Sequence, residues 1–147
     1  MSRDAEKFVV DATVAIKWLV PAEHSDLARK LWDREVSAPD LIFPETVNAL
    51  WKYVDRGELT PDEARRAASL FPADVVTLVP SQPLMQRALD LALALRLPVY
   101  DCVYLATAWL LEVPLVTADH RFLKVLGQGT IESAKLPTVL PLSAFAS

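Results

Sequence analysis

The stretch that decides the fold is Phe8-Val9-Val10-Asp11-Ala12-Thr13-Val14-Ala15-Ile16-Lys17-Trp18-Leu19. Phe8-Val9-Val10 reads as a short buried strand, because three consecutive apolar residues suit a strand covered on both faces. The strand stops at Asp11. Residues 12–19 read as a short helix that must end before Pro21, since proline disfavours helical backbone in the residue ahead of it. A strand that feeds a helix without a linker is half of a βα unit, so the question for the rest of the chain is whether that unit recurs.

It does. Residues 25–35 predict a helix with Leu27, Ala28, Leu31 and Trp32 on one face. Leu41-Ile42-Phe43 predicts a second strand, and Pro44 suits the first turn of the helix after it. Val47, Leu50, Trp51 and Val54 form an i, i+3, i+4, i+7 stripe on that helix, which Gly57 ends. Thr60-Pro61-Asp62-Glu63 is a helix start with a capping threonine, proline at the first position and Glu three residues after the cap. Val75 to Val79 predicts a strand, and residues 83–96 an amphipathic helix. Pro98-Val99-Tyr100 then leads into a nearly all-apolar helix from Asp101 to Leu111, a pattern that places the helix inside the fold. Leu115-Val116-Thr117 predicts a strand, a short helix follows from Asp119, and Val139-Leu140 predicts a last strand. Strands alternating with helices predict an α/β fold with a parallel sheet covered on both faces, and such sheets bind ligands outside the carboxyl ends of their strands.

The composition bounds the function. A chain of 147 residues, 52% hydrophobic and 23% charged, is one well-packed domain, 1–147. One cysteine, Cys102, allows no internal disulfide and fits a cytoplasmic setting. One cysteine and two histidines supply a closed zinc site poorly. Three glycines leave no phosphate-cradling glycine loop, which removes the Walker-type and dinucleotide-binding readings. The polar start of the chain has no apolar h-region, so no secretory signal is expected, and no apolar run is long enough to cross a bilayer. The net charge of −4 argues against a protein that grips nucleic acid by many phosphate contacts. It leaves room for an enzyme whose acids gather at a metal, with Lys17, Lys52, Arg56, Arg65 and Arg66 available to line a substrate path.

Four acids mark strand-to-helix junctions. Asp11 follows Phe8-Val9-Val10, Asp101 follows Val99-Tyr100, and Asp119 follows Leu115-Val116-Thr117 after one alanine. Parallel strands would bring the three aspartates to one edge of the sheet. Glu45 opens the helix after the second strand and points roughly opposite the Val47-Leu50-Trp51-Val54 stripe, so it is free to face a cleft. Aspartate is also a favoured helix cap, and carboxylates in a first turn suit the helix dipole, so each position alone is explained by capping. A cluster of four is not. Two carboxylates about 5 Å apart repel by roughly 3 kcal/mol at an effective dielectric of 20. Four would take up protons or recruit a cation, and hard oxygen donors favour magnesium or manganese over zinc.

Four stretches together resemble the PIN-domain family, in the VapC toxin branch of toxin–antitoxin pairs: VVDATVAIKWLV (9–20), APDLIFPETVNALWK (38–52), VYDCVYLATA (99–108) and PLVTADHRF (114–122). The resemblance implies a PIN-like three-layer fold with a central sheet of about five strands. It makes Asp11, Glu45, Asp101 and Asp119 an acidic quartet that binds Mg2+, with Mn2+ able to substitute, and places Thr117 and Thr13 where the family often carries a hydroxyl. Asp11 and Asp101 are the first choice as direct ligands. The implied activity is endoribonuclease hydrolysis of RNA by a metal-activated water, leaving a 3′-hydroxyl and a 5′-phosphate. The implied partners are an RNA substrate, a small VapB-like antitoxin that covers the site, and a second copy of the chain in a homodimer; no membrane is implied. Lys17 and His120 stand near the quartet as either substrate contacts or solvated side chains, Cys102 reads as a small core residue, and Trp18, Trp32, Trp51 and Trp109 as core or interface residues. Two rivals remain at this point. An aspartyl-phosphate enzyme would use Asp11 as nucleophile, although its phosphatase form wants an acid where Thr13 stands. A non-catalytic module would use the acidic pocket only to receive a basic partner segment.

Overall fold

A computed structural model describes residues 6–128 and 136–146; side chains at 127 and 128, the chain start at 1–5 on which the signal reading rests, and Gly129 lie outside it. Five strands form one parallel sheet: β1 (Lys7–Val10), β2 (Glu35–Pro39), β3 (Val76–Val79), β4 (Leu115–Thr117) and β5 (Val139–Pro141), in the order β3-β2-β1-β4-β5. The helices are α1 (Ala12–Leu19), α2 (Ser25–Lys30), α3 (Ile42–Asp55), α4 (Pro61–Ser69), α5 (Met85–Leu95), α6 (Val99–Leu111) and α7 (His120–Gln128).

The handedness of crossovers sorts the layers. From β1 the chain steps through β2 to β3 in one direction, and from β3 it crosses back past β1 to β4 and β5. Right-handed connections then put α1–α4 on one face and α5–α7 on the other. The packing agrees: α1 lies against α2 and α3, and α3 against α4, whereas α6 lies across β1, β2 and β4 with α5 behind it. The direction of winding reverses between β1 and β4, and a crevice opens at such a reversal. Val9, Val10, Leu115 and Val116 are buried without exposure at this junction, with Cys102 and Tyr104 of α6 above them.

Three expectations need correction. The second strand is Glu35–Pro39, not Leu41–Phe43. Val36 and Ala38 supply its buried face in alternation, and Ile42-Phe43 are already helical, with Ile42 packed into the core. The helix expected over 25–35 therefore stops at Lys30, followed by a tight 3-10 turn at Leu31–Asp33. The Val47-Leu50-Trp51-Val54 stripe is not the core face of α3. Ile42, Thr46 and Leu50 face inward, while Val47 and Trp51 are 52% and 59% exposed. With Pro61, Ala64 and Ala68 they line an open apolar groove of about 270 Å³ between α3 and α4.

The capping box at α4 forms as the sequence predicts. Glu63 N donates to Thr60 Oγ1 at 3.1 Å, and Thr60 N donates to Glu63 Oε1 at 3.0 Å. Thr60→Ala should lower the unfolding free energy by about 1 kcal/mol, the usual worth of a cap, measured by urea denaturation. Gly57 closes α3 at φ +76°, a backbone angle that side chains resist. Among the described residues, no single helix is long and apolar enough to cross a membrane.

Candidate active site

Asp11 ends β1 at the point of reversal. It is 7% exposed and caps α1, its Oδ1 accepting from Thr13 N at 3.0 Å and Val14 N at 3.3 Å. Thr13 Oγ1 donates to the same oxygen, and Thr117 Oγ1, from the end of β4, donates to Oδ2. Thr13 Oγ1 also accepts from Ala118 N at 2.9 Å, and Thr117 Oγ1 accepts from Asp119 N at 3.1 Å. Two hydroxyls thus tie the β1–α1 turn to the β4–α7 turn through one carboxylate. Capping explains the contacts of Asp11 but not its burial. Loss of water pushes its pKa up to about 6 against the pull of the Thr117, Thr13 and Val14 hydrogen bonds, and the charge of Asp101 adds to the rise.

Asp119 caps α7 through Arg121 N at 3.0 Å and Phe122 N at 3.3 Å. Asp101 does no such work. It lies in the first turn of α6, where no side chain caps the helix. This corrects the expectation that all three aspartates end strands: Val99 is already helical, and Asp101 reaches the crevice from a helix N-terminus. Burial raises its pKa to about 6, with further push from Asp119 and then Glu45, opposed by Arg121.

Glu45 also caps nothing. It is half-buried in the first turn of α3, and its Oε1 is shut off from water with no hydrogen-bond partner among the described residues. Burial raises its pKa, against the Tyr104 hydroxyl and the Lys52 ammonium. Tyr104 stands three residues after Asp101 and is 2% exposed. Its hydroxyl is likewise buried without a well-formed hydrogen bond, although it lies close enough to Glu45 for each group to shift the other. Burial, and then Glu45, hold the phenol far above its ordinary pKa. Tyr104 was missed in the sequence. The available signal was a polar hydroxyl at i+3 from Asp101 on an otherwise apolar helix, since a buried tyrosine normally finds a partner.

The other candidates separate cleanly. Cys102 is fully buried, with its thiol raised to about 11 by burial and then by Asp101, as fits a core residue rather than a nucleophile. His120 is exposed at the start of α7, and Lys17 Nζ donates to Glu23 O at 2.7 Å. Trp18 is buried and donates to Ala28 O at 2.8 Å, while Trp32, Trp51 and Trp109 are exposed.

The four acids therefore share one electrostatic field: Asp11 feels Asp101, and Asp101 feels both Asp119 and Glu45. Among the described residues, no three carboxylate, imidazole or thiolate groups converge closely enough to cage a metal. Magnesium does not need that cage, because it takes one or two carboxylates directly and keeps several waters. An all-oxygen donor set, two carboxyls raised by burial and an orphaned Glu45 oxygen suit a hard, hydrated divalent cation. Thr117→Val, which keeps the shape and removes the hydroxyl, should lower stability by about 1–3 kcal/mol in a denaturant melt at neutral pH, because Asp11 Oδ2 and Asp119 N both lose their partner.

Residues 8–127 match the model of the PIN domain. The chain is 34% identical to Ribonuclease VapC3 of Pyrobaculum aerophilum over 119 residues, 78% of this chain and 91% of that protein. It is 32% identical to Ribonuclease VapC1 of Mycobacterium tuberculosis over 120 residues, 79% of this chain and 88% of that protein. In fold it is similar to PAE2754 from Pyrobaculum aerophilum, with TM-score 0.69 and 22% identity, covering 95% of this chain and 93% of the other. It is also similar to a chain of a toxin–antitoxin complex from Klebsiella pneumoniae, with TM-score 0.58 and 19% identity, covering 91% and 96%. With its sheet reversing at Asp11 and the match running through all four acids, the chain belongs to the PIN-domain family, among the VapC proteins.

Proposed function

We propose that this chain is a magnesium-dependent endoribonuclease, the toxin of a VapBC-type toxin–antitoxin pair, that hydrolyses RNA phosphodiesters. The observation that carries the reading is that Asp11, Glu45 and Asp119 all lie near enough to Asp101 to interact with it electrostatically, while Asp101 and Glu45 have no structural task there. Its VapC relatives, both called ribonucleases, favour nuclease chemistry over an aspartyl-phosphate enzyme or a passive acidic pocket.

Asp11 and Asp101 would hold the cation, with Mn2+ able to replace Mg2+. Glu45 and Asp119 would orient waters around it. A bound magnesium supplies a water of lowered pKa and offsets charge developing on the phosphoryl oxygens. The chain's own part is placement. Thr13 and Thr117 fix both oxygens of Asp11. The products are a 3′-hydroxyl and a 5′-phosphate.

The antitoxin would lay an apolar segment in the groove lined by Val47, Trp51, Val54 and Ala64. Exposed Leu89, Leu93, Tyr100 and Leu110 of α5 and α6 offer apolar surface for a homodimer. The test is cleavage of single-stranded RNA by highly purified protein, with the new ends mapped. EDTA should stop it and Mg2+ or Mn2+ restore it. Cleavage that persists in excess EDTA contradicts the proposal.

A further inference from the structure

Beside the acids, between α1 and α3, lies a cleft of about 310 Å³. Its apolar surface comes from Ala12, Ile16, Ala49 and Ala118. Its polar groups are Asn48, Lys17 and Lys52, and it shares Thr13 and Glu45 with the acid site. Neither lysine forms a salt bridge among the described residues, whereas Lys7, Arg34, Arg56 and Arg65 are each paired with a carboxylate. Lys17 is held in place by its bond to Glu23 O, which leaves its charge uncompensated.

We propose that this cleft is a nucleotide subsite, which seats the residue next to the scissile phosphate of single-stranded RNA, with Lys17 and Lys52 on backbone phosphates and Asn48 on a base edge or ribose hydroxyl. The inference rests on the nuclease reading and deepens it. A chain of net charge −4 with four acids at its centre repels a polyanion, so cations beside the acids must bring it in. Three alanine methyls and one isoleucine give a low apolar floor on which a base or ribose can lie. Asn48 supplies both a donor and an acceptor. A cleft of about 310 Å³ suits one nucleotide of an unstacked strand, the form in which RNA exposes its base edges to proteins. A basic antitoxin segment is the poorer occupant, because both lysines would repel it.

The experiment is fluorescence anisotropy of a short labelled oligoribonucleotide on Asp101→Asn protein, which keeps the cleft and stops hydrolysis. Adding Lys17→Ala and Lys52→Ala should weaken binding about 10-fold or more at roughly 0.1 M salt. The slope of log affinity against log salt should fall by about 1.4, or about 0.7 for each phosphate contact on a single strand. Asn48→Ala should weaken binding with the slope unchanged. Lys7→Ala, at the opposite end of β1, should change neither quantity. A double-lysine variant with unchanged affinity and slope overturns the subsite, as does duplex RNA that competes as well as single-stranded RNA. A variant that keeps RNA but loses the antitoxin assigns the cleft to the protein partner and also overturns it. Cleavage by the unsubstituted chain is scored in parallel. Lysine-dependent binding without cleavage removes the nuclease reading and leaves the subsite, and lysine-independent cleavage does the reverse.

Discussion

Asp101→Asn protein should lose RNA cleavage by about 10²- to 10³-fold or more and, in metal-free buffer, should unfold at a higher temperature than the unsubstituted chain. The first effect is the usual scale for removing one preorganised electrostatic group from a site that stabilises developing charge. The second follows from what Asp101 costs. It caps nothing, its pKa is raised to about 6, and at neutral pH it holds a charge that its surroundings disfavour. Asparagine keeps the shape and removes the charge. After allowance for its partial exposure, the gain is on the order of 1–2 kcal/mol, read from denaturant melts in EDTA at pH 7.5. A residue kept for folding would give the opposite pair of results, lower stability with activity falling only as the protein unfolds.

The second large effect concerns pH. Asp11 and Asp101 each move from the ordinary aspartate pKa of 3.8 to about 6 on folding. Both folded pKa values lie above the unfolded one, so the folded state binds more protons between pH 4 and 6. The contribution of these two groups to stability is fully present below about pH 3.8, falls as pH rises, and is gone above about pH 6. For the buried Asp11 the span is on the order of 3 kcal/mol. Metal-free protein should therefore gain thermal stability as the pH is lowered from 6.5 towards 4.5, where an ordinary carboxylate with a lowered pKa begins to cost stability. Mg2+ should reverse the order. It binds the ionised form, so it should raise the melting temperature more at pH 7.5 than at pH 5. A metal-free melting temperature that falls steadily from pH 6.5 to 4.5 contradicts the raised carboxyls.

Much of this was legible in the chain. Phe8-Val9-Val10 and Leu115-Val116-Thr117 are readable as buried strands because both are short, largely apolar runs, and parallel pairing brings their carboxyl ends to one edge. The second strand was not readable. Glu35-Val36-Ser37-Ala38-Pro39 buries only a valine, an alanine and its final proline, too weak an apolar signal beside Leu41-Ile42-Phe43, whose apolar side chains serve a helix start instead. On α3, Val47 and Trp51 imitate a core stripe, while the inward face carries a threonine. Val99-Tyr100 resembles the end of a strand, and only the third dimension shows Asp101 in a helix's first turn at the crevice. The orphaned oxygens of Glu45 and Tyr104 have no sequence signature, since burial without a partner depends on two helices from opposite faces of the sheet.

Under the proposed function, Asp11, Glu45, Asp101 and Asp119 make one cation site. Manganese binding to the full chain near neutral pH, followed by the loss of the free-ion paramagnetic resonance signal, tests it most directly. Saturable binding to the unsubstituted protein that weakens at least about tenfold in both Asp11→Asn and Asp101→Asn is the predicted result. Binding that is absent, or that is equally strong in both variants, would return the four acids to separate roles at the ends of their helices.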